Sequence, residues 1–161
     1  MEREHLTPFA LIMDLIKTTS SNKDFVKLVS LLDADLAKRD GDEHDFYAQF
    51  NGIDTLQHVV VGYLDHQPIC CGAFKPYDAH AVEIKRMYTL PEHRGKGLAA
   101  QLLRILELWA KELNYNHTVL ETGKKQPEAI ALYTKSGYVQ IANYGQYAGV
   151  ENSLCFQKNL D

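Results

Sequence analysis

The stretch RGKGLA at residues 94–99 joins two segments of different pattern and decides how this chain folds. Before it, the segment VEIKRMYTL at residues 82–90 predicts a strand that Pro91 closes. After it, residues 98–113 carry apolar side chains three and four positions apart, which is typical of one helical face. The chain therefore passes from a strand into a helix through a short loop with two glycines and two cations. Free N–H groups at a helix start form an anion site, so this loop is predicted to bind a phosphate or pyrophosphate.

The spacing of the glycines separates this loop from two familiar phosphate-binding patterns. The Walker A pattern G-x-x-x-x-G-K-[ST] is absent, because Lys96 is followed by Gly97 and not by Ser or Thr. The dinucleotide pattern G-x-G-x-x-G fails only at its last position, where Ala100 stands and where some dinucleotide folds also carry alanine. Such a loop normally opens the first βαβ unit, whereas this one lies past the middle of the chain, so its position argues against a dinucleotide fold. Because the pattern itself nearly matches, a dinucleotide-binding protein stays an alternative.

Four segments in register resemble the GNAT N-acetyltransferases. Arg94-x-x-Gly97-x-Ala99 matches the Q/R-x-x-G-x-G/A pyrophosphate loop of that family. The segments EIKRMY at residues 83–88 and VLET at residues 119–122 resemble its central strand and the strand that follows. The pattern A-x-x-L-Y-x-x-x-G-Y at residues 129–138 is similar to its helix and turn near the C-terminus. The likeness covers roughly residues 81–160 well and the first half of the chain only loosely.

The resemblance implies an α/β fold, a mixed and mostly antiparallel sheet flanked by helices. Its fourth and fifth strands are expected to splay apart and to hold acetyl-CoA between them. Read from the residues alone, the order of elements is β-α-α-β-β-β-α-β-α-β-β, with a tight turn at residues 65–67. The predicted helices span 22–39 (capped by Ser20 or Ser21), 46–50, 98–113 and 127–136, and the predicted strands span 11–18, 58–64, 69–75, 81–90, 118–122, 138–143 and 153–158.

Composition excludes several other classes of protein. The 161 residues predict a single domain, and with 45% hydrophobic residues they suffice for a proper core. A net charge of −4 without a basic stripe argues against a nucleic-acid partner. The sequence contains no run of 18 apolar residues, so no membrane span is predicted. The N-terminus lacks a signal-peptide pattern, so the cytoplasm is the expected location. The seven histidines lack ligand spacing, so no metal is predicted, and Cys70 and Cys71 are predicted to be buried strand thiols.

The resemblance assigns a set of residues to acetyl-CoA. The end of the predicted strand at Met87–Thr89 is expected to present backbone groups to the pantetheine arm and to polarise the thioester carbonyl. A backbone donor of this kind is worth roughly 3 kcal/mol. Gln126 stands where the family often has Asn. The full predicted cofactor set is Met87, Tyr88, Thr89, Arg94, Gly95, Lys96, Gly97, Leu98, Ala99, Gln126 and Tyr133.

Two residues are predicted to move protons. Tyr133 matches the tyrosine with which this family often protonates the coenzyme A sulfur, although an aromatic packed on the sheet gives the same pattern. A base is needed, because a lysine-like amine is neutral only about once in 2500 molecules at pH 7, a cost near 4.6 kcal/mol. The resemblance implies Glu83, which matches a strand glutamate that acts as the base in many members of the family. It alternates with Lys85, so a simple ion pair is the competing interpretation, and Glu121 is a second candidate base.

The acceptor is expected to be a primary amine of a small molecule. The resemblance implies that the first helix pair and the final hairpin loop line its site, where carboxylates attract a cation and tyrosines suit a small or flat body. A GNAT-like sensor that binds acetyl-CoA without transferring it is the main alternative. The oligomeric state stays open, with pairing of the C-terminal strands as one route to a homodimer. The predicted acceptor residues are His44, Asp45, Tyr144 and Tyr147, with Asp42, Glu43, Glu151 and Asn152 beside them.

Overall fold

A computed structural model describes residues 12–48 and 56–161 of the chain. The elements in this part follow the predicted order, and the first residue of the predicted first strand and the end of the predicted 46–50 helix lie outside it. The helices are α1 Lys23–Asp40, α2 His44–Ala48, α3 Leu98–Glu112 and α4 Pro127–Lys135. The strands are β1 Asp14–Thr18, β2 His58–Leu64, β3 Gln67–Pro76, β4 Ala81–Thr89, β5 His117–Gly123, β6 Val139–Ile141 and β7 Ser153–Asn159.

The seven strands form one mixed sheet in the order β1-β2-β3-β4-β5-β7-β6. Every neighbouring pair is antiparallel except β4 and β5, which run parallel. In that parallel pair, only Ala81–Glu83 of β4 pairs with β5. Beyond Glu83, β4 continues to pair with β3, and β5 continues to pair with β7. A gap therefore opens between the two strands just beyond Glu83, and the predicted splay is confirmed.

Helices cover both faces of the sheet. Helix α3 packs on one face through a leucine stripe that is almost wholly buried, and helix α1 packs on the other through Phe25, Leu28 and Val29. Burying one such side chain contributes roughly 1.5–3 kcal/mol to stability. The stripe consists of Leu98, Leu102, Leu103 and Leu106.

Four local predictions were wrong. Asn22, and neither Ser20 nor Ser21, caps α1, because its Oδ1 accepts from the Phe25 N–H at 2.9 Å. Leu113 is a half-exposed residue after the end of α3, since Ala110 occupies the last buried position of that face. The tight turn has only two residues between its strands, both with positive φ as a type I′ turn requires, so Gln67 already belongs to β3. Strand β6 is three residues long, shorter than the predicted 138–143.

Strand β4 carries a bulge at Arg86. Tyr88 pairs with Cys71 and Lys85 pairs with Ala73, so Arg86 and Met87 together face the single residue between those partners. Arg86 adopts φ 60°, the left-handed conformation that side chains other than glycine seldom take. Without the bulge, alternation would place Arg86 on the α3 face with Ile84. With it, the side chain reaches Asp33 of α1 on the opposite face.

Candidate acetyl-CoA and acceptor site

A cavity of about 520 Å³ occupies the gap between β4 and β5. It extends from the glycine loop before α3, past the first turn of α4, to the carboxylates of Glu83 and Glu121. Lys96 is exposed on the loop and does not line the cavity, in contrast to the other predicted cofactor residues. Of the predicted site residues, the lining ones are Glu83, Met87, Tyr88, Thr89, Arg94, Gly95, Gly97, Leu98, Ala99, Gln126, Tyr133 and Tyr147.

The glycine loop presents an uncapped helix start to this cavity. Gly95 and Gly97 both have φ 77°, and a Cβ built on either would meet no atom within 4 Å. Their backbone conformation, and not crowding, therefore favours glycine. Gly97 is the N-cap of α3 and no side chain caps the first turn, so its N–H groups are open to an anion. Arg94 donates from Nε to the Thr89 carbonyl at 2.9 Å, which ties the loop to the end of β4.

Buried polar atoms around the loop fit a polar ligand. His93 Nδ1 lies at the cavity wall and finds no hydrogen-bond partner among the described residues. Asn152 Nδ2 is also without a partner among these residues, but Asn152 does not line the cavity. Leaving a buried donor or acceptor unpaired costs about 1–3 kcal/mol. The open helix start, Arg94 and His93 at the cavity wall together fit a ligand with a diphosphate group.

Tyr133 of α4 is buried and lines the cavity. Its ring contacts Tyr138 edge-on with the centroids 5.6 Å apart, so the predicted packing role is present as well. Burial, assisted by the Glu121 charge, raises the pKa of Tyr133 well above its ordinary value. The phenol therefore keeps its proton at working pH and is available as a donor.

Glu83 lies at the point where β4 and β5 part, and its side chain is almost fully buried. The Tyr144 hydroxyl donates to its Oε2 at 2.6 Å. Lys75 Nζ, directly across the strand pair, lies 3.9 Å from Oε1, and Lys85 Nζ lies 4.0 Å from the same atom. The predicted ion pair is thus present, and the same carboxylate also faces the cavity. Tyr144, predicted to contact the acceptor directly, does not line the cavity and instead contacts Glu83.

Glu121 faces the same cavity from β5. Ser153 Oγ donates to its Oε2 at 2.7 Å, and the Tyr47 hydroxyl lies 3.0 Å from that Oγ. Burial raises the pKa of Glu121 to about 7, and nearby Asp40 and Glu83 add to the rise while Lys85 opposes it. A carboxyl that titrates near neutrality can exchange protons at working pH. Glu121 therefore stands beside Glu83 as a candidate base.

The predicted acceptor residues are brought together only in part. Tyr147 is buried in the cavity wall, 5.9 Å from the Tyr144 ring. Asp45 is exposed and does not line the cavity. Helix α2 begins at His44, whose side chain lies outside the described part of the chain.

Sequence reasoning missed several residues of the cavity wall, among them Tyr47, Arg86 and the buried Asp40. Tyr47 lies on the short helix α2, where no spacing pattern marks it. Arg86 follows an alternating strand pattern that places it on the wrong face, because a bulge leaves little trace in sequence. A buried cation in the middle of a sheet strand was the one available signal, since charged residues are seldom buried without a partner.

None of the helices in residues 12–48 and 56–161 is long and apolar enough to cross a membrane. Within the same residues, no three His, Cys, Asp or Glu side chains are grouped as metal ligands would be. The thiols of Cys70, Cys71 and Cys155 are free and buried, which confirms the prediction for the first two.

Comparison with known proteins agrees with this geometry. Residues 25–138 match the model of the acetyltransferase (GNAT) family. YobR, an uncharacterized N-acetyltransferase of Bacillus subtilis (strain 168), is 26% identical over 114 residues, which are 62% of this chain and 46% of YobR. The chain spans about half the length of the curated relatives that it matches first.

Solved structures share the fold along nearly the whole chain. A Klebsiella pneumoniae protein described as an acyl-CoA N-acyltransferase superimposes with a TM-score of 0.78 at 28% identity, over 94% of this chain and 99% of its own. A GNAT family acetyltransferase of Elizabethkingia anophelis with acetyl-CoA bound gives a TM-score of 0.64 at 18% identity, over 92% and 98% of the two chains. The latter likeness concerns the fold alone.

Proposed function

The chain belongs to the acetyltransferase (GNAT) family, and on that premise we propose that it moves an acetyl group from acetyl-CoA to a primary amine of a small molecule. Transfer is direct, with both substrates bound at once. The observation that carries this proposal is one continuous cavity in which the glycine loop, Tyr133 and two carboxylates face the gap between β4 and β5.

The glycine loop and the end of β4 bind different parts of acetyl-CoA. The N–H groups at the start of α3 receive the pyrophosphate, and the positive end of the helix dipole favours its charge. The backbone of Met87–Thr89 lies along the open side of β4, where strand-like pairing with the pantetheine arm is available. Gln126 lines the cavity at the start of α4, within reach of the same arm.

Two side chains balance the protons of the reaction. The amine nitrogen bonds to the thioester carbon and the C–S bond breaks, so the amine must lose protons and the departing sulfur must gain one. Glu83 takes one proton from the acceptor ammonium, directly or through water, and passes it to solvent. Tyr133 gives its proton to the thiolate and is reprotonated by the second proton, which the attacking nitrogen loses as the amide forms. Burial raises the pKa of Tyr133, and the thiol that forms has an ordinary pKa of about 8.5, so the transfer of the proton from the phenol to the thiolate is uphill.

Thermal melting with ligands is the first test of this proposal. Acetyl-CoA and coenzyme A are expected to raise the melting temperature, while NADH and ATP are not. A ligand at 100 times its dissociation constant stabilises the folded state by about 2.7 kcal/mol, which melting detects readily. A shift with NADH alone would identify a dinucleotide-binding protein, and no shift with any of the four would contradict the loop assignment.

An amine panel separates an enzyme from a sensor. Protein with acetyl-CoA is incubated with amino acids, polyamines and aryl alkyl amines, and the release of free thiol is followed. Thiol release that depends on an amine supports transfer. Binding of acetyl-CoA without release for any amine would favour the sensor.

A further inference from the structure

Arg86 carries buried hydrogen-bond donors that the protein itself does not use. Its side chain is 2% exposed and it lines the cavity between β4 and β5. Nη2 donates to Asp33 Oδ1 at 2.6 Å. Nε and Nη1 are buried and have no hydrogen-bond partner within the described residues. The guanidinium is thus held at one nitrogen, and its other two nitrogens are buried without a hydrogen-bond partner among the described residues.

Such an arrangement is costly unless a ligand completes it. A guanidinium has five N–H donors and stays charged at any working pH. Burying it with donors unpaired costs free energy, and Asp33, whose own side chain is about half exposed, offsets only part of that cost. The group that best matches the remaining donors is a carboxylate, which accepts two parallel N–H bonds from a guanidinium.

The strand bulge places Arg86 in the wall of the cavity that Glu83 and Glu121 also line. Arg86 lies three residues beyond Glu83 on β4, on the α1 side of the sheet. The lining carboxylates attract an ammonium group, whereas Arg86 and Lys85 attract an anion in the same cavity; these carboxylates include Asp35, Asp40, Glu83 and Glu121. Opposite charges at two points of one cavity complement a molecule that carries both an amine and a carboxylate.

We propose that Arg86 binds a carboxylate of the acceptor, so that the acceptor is an amino acid and not a simple amine. This inference rests on the proposed acetyl transfer and names the substrate class of the same cavity. Asp33 acts as a positioning residue, because it holds one side of the guanidinium and leaves the other nitrogens to the ligand.

The test compares amino acids with the amines obtained by removing their carboxylate. Matched pairs such as phenylalanine and phenethylamine, or lysine and cadaverine, are assayed for kcat/KM by thiol release. The protein is expected to prefer the acid over its amine by about 10- to 100-fold, the worth of hydrogen bonds to a charged group. Arg86→Gln should reduce that ratio to about 1, and Arg86→Lys, which keeps the charge without the planar fork, should give an intermediate ratio.

Asp33→Asn tests the positioning role of Asp33. It removes the ion pair with α1 but keeps the guanidinium, so the preference for acids should fall, though less than in Arg86→Gln. Equal losses on acid and amine in Arg86→Gln, or a preference for the amine in every pair, would overturn the proposal. The preference of the unaltered protein decides the matter even where Arg86→Gln does not fold.

A binding measurement keeps this inference separate from the proposed catalysis. Calorimetric titration of the amino acids into protein loaded with coenzyme A should show saturable binding that Arg86→Gln weakens at least 10-fold. If binding follows that pattern but no amine is acetylated, the carboxylate site stands and the proposed transfer fails. If amines are acetylated but amino acids bind no better than their amines, the transfer stands and the carboxylate site fails.

Discussion

At the scale of single residues, Tyr133 and Tyr138 are neighbouring tyrosines with different surroundings. Tyr133 lines the cavity, whereas the Tyr138 hydroxyl lies in the core, where it donates to Glu107 at 2.9 Å and accepts from Thr118. Tyr133→Phe should leave acetyl-CoA binding intact and lower kcat about 100-fold, because the thiolate loses its proton donor. Tyr138→Phe is the matched control and should lower stability by about 1.5–3 kcal/mol with little effect on kcat below its melting temperature. Equal turnover in Tyr133→Phe and the parent protein would reduce Tyr133 to a packing residue.

The two carboxylates of the cavity are distinguished by replacing each with its amide. Glu83→Gln should lower kcat by at least 100-fold, whereas Glu121→Gln should lower it less than 10-fold, because Glu83 lies where the two strands part. The check is steady-state kinetics of both variants from pH 5.5 to 9. The reverse ranking would make Glu121 the base. The rate would then rise with pH through about 7, where Glu121 loses its proton.

At the scale of elements, Gly72 sets how closely α3 approaches the sheet. A Cβ there would lie 2.4 Å from Met87 Sδ, 2.8 Å from Leu102 Cδ2 and 3.0 Å from Leu106 Cδ1. Gly72→Ala should therefore cost about 1–3 kcal/mol of stability through overpacking, seen as a melting temperature lowered by roughly 3–10 °C. Gly123→Ala in β5 is the control, since its Cβ would come no closer than 3.4 Å to any neighbour. Comparable losses in both variants would contradict the steric argument.

Elements with a strong local pattern could be predicted from the sequence, whereas features that depend on distant contacts could not. The leucine stripe of α3, the proline that begins α4 and the continuous apolar runs of β2 and β3 each mark their own element. The bulge at Arg86 depends on pairing with β3, a non-local contact that periodicity does not encode. The same limit applies to Glu121, whose raised pKa arises from burial by distant elements. The cofactor loop was found because its chemistry lies in consecutive residues, whereas the acceptor end is assembled from separate strands and helices.

At the scale of the whole molecule, Glu121 links stability to pH. Its pKa in the folded protein is about 7, above its ordinary value of 4.5, so the folded state holds this proton more tightly than the unfolded chain does. This contribution to stability is complete below pH 4.5, declines as pH rises, and is lost above about pH 7. In Glu121→Gln the decline disappears, and relative to the parent protein the variant should gain up to about 3 kcal/mol between pH 5 and pH 8. Urea unfolding at the two pH values measures the difference, with Glu151→Gln on an exposed loop as the control. If the free-energy difference between Glu121→Gln and the parent is the same at pH 5 and pH 8, Glu121 titrates below that range and its ionised form is already stable in the cavity.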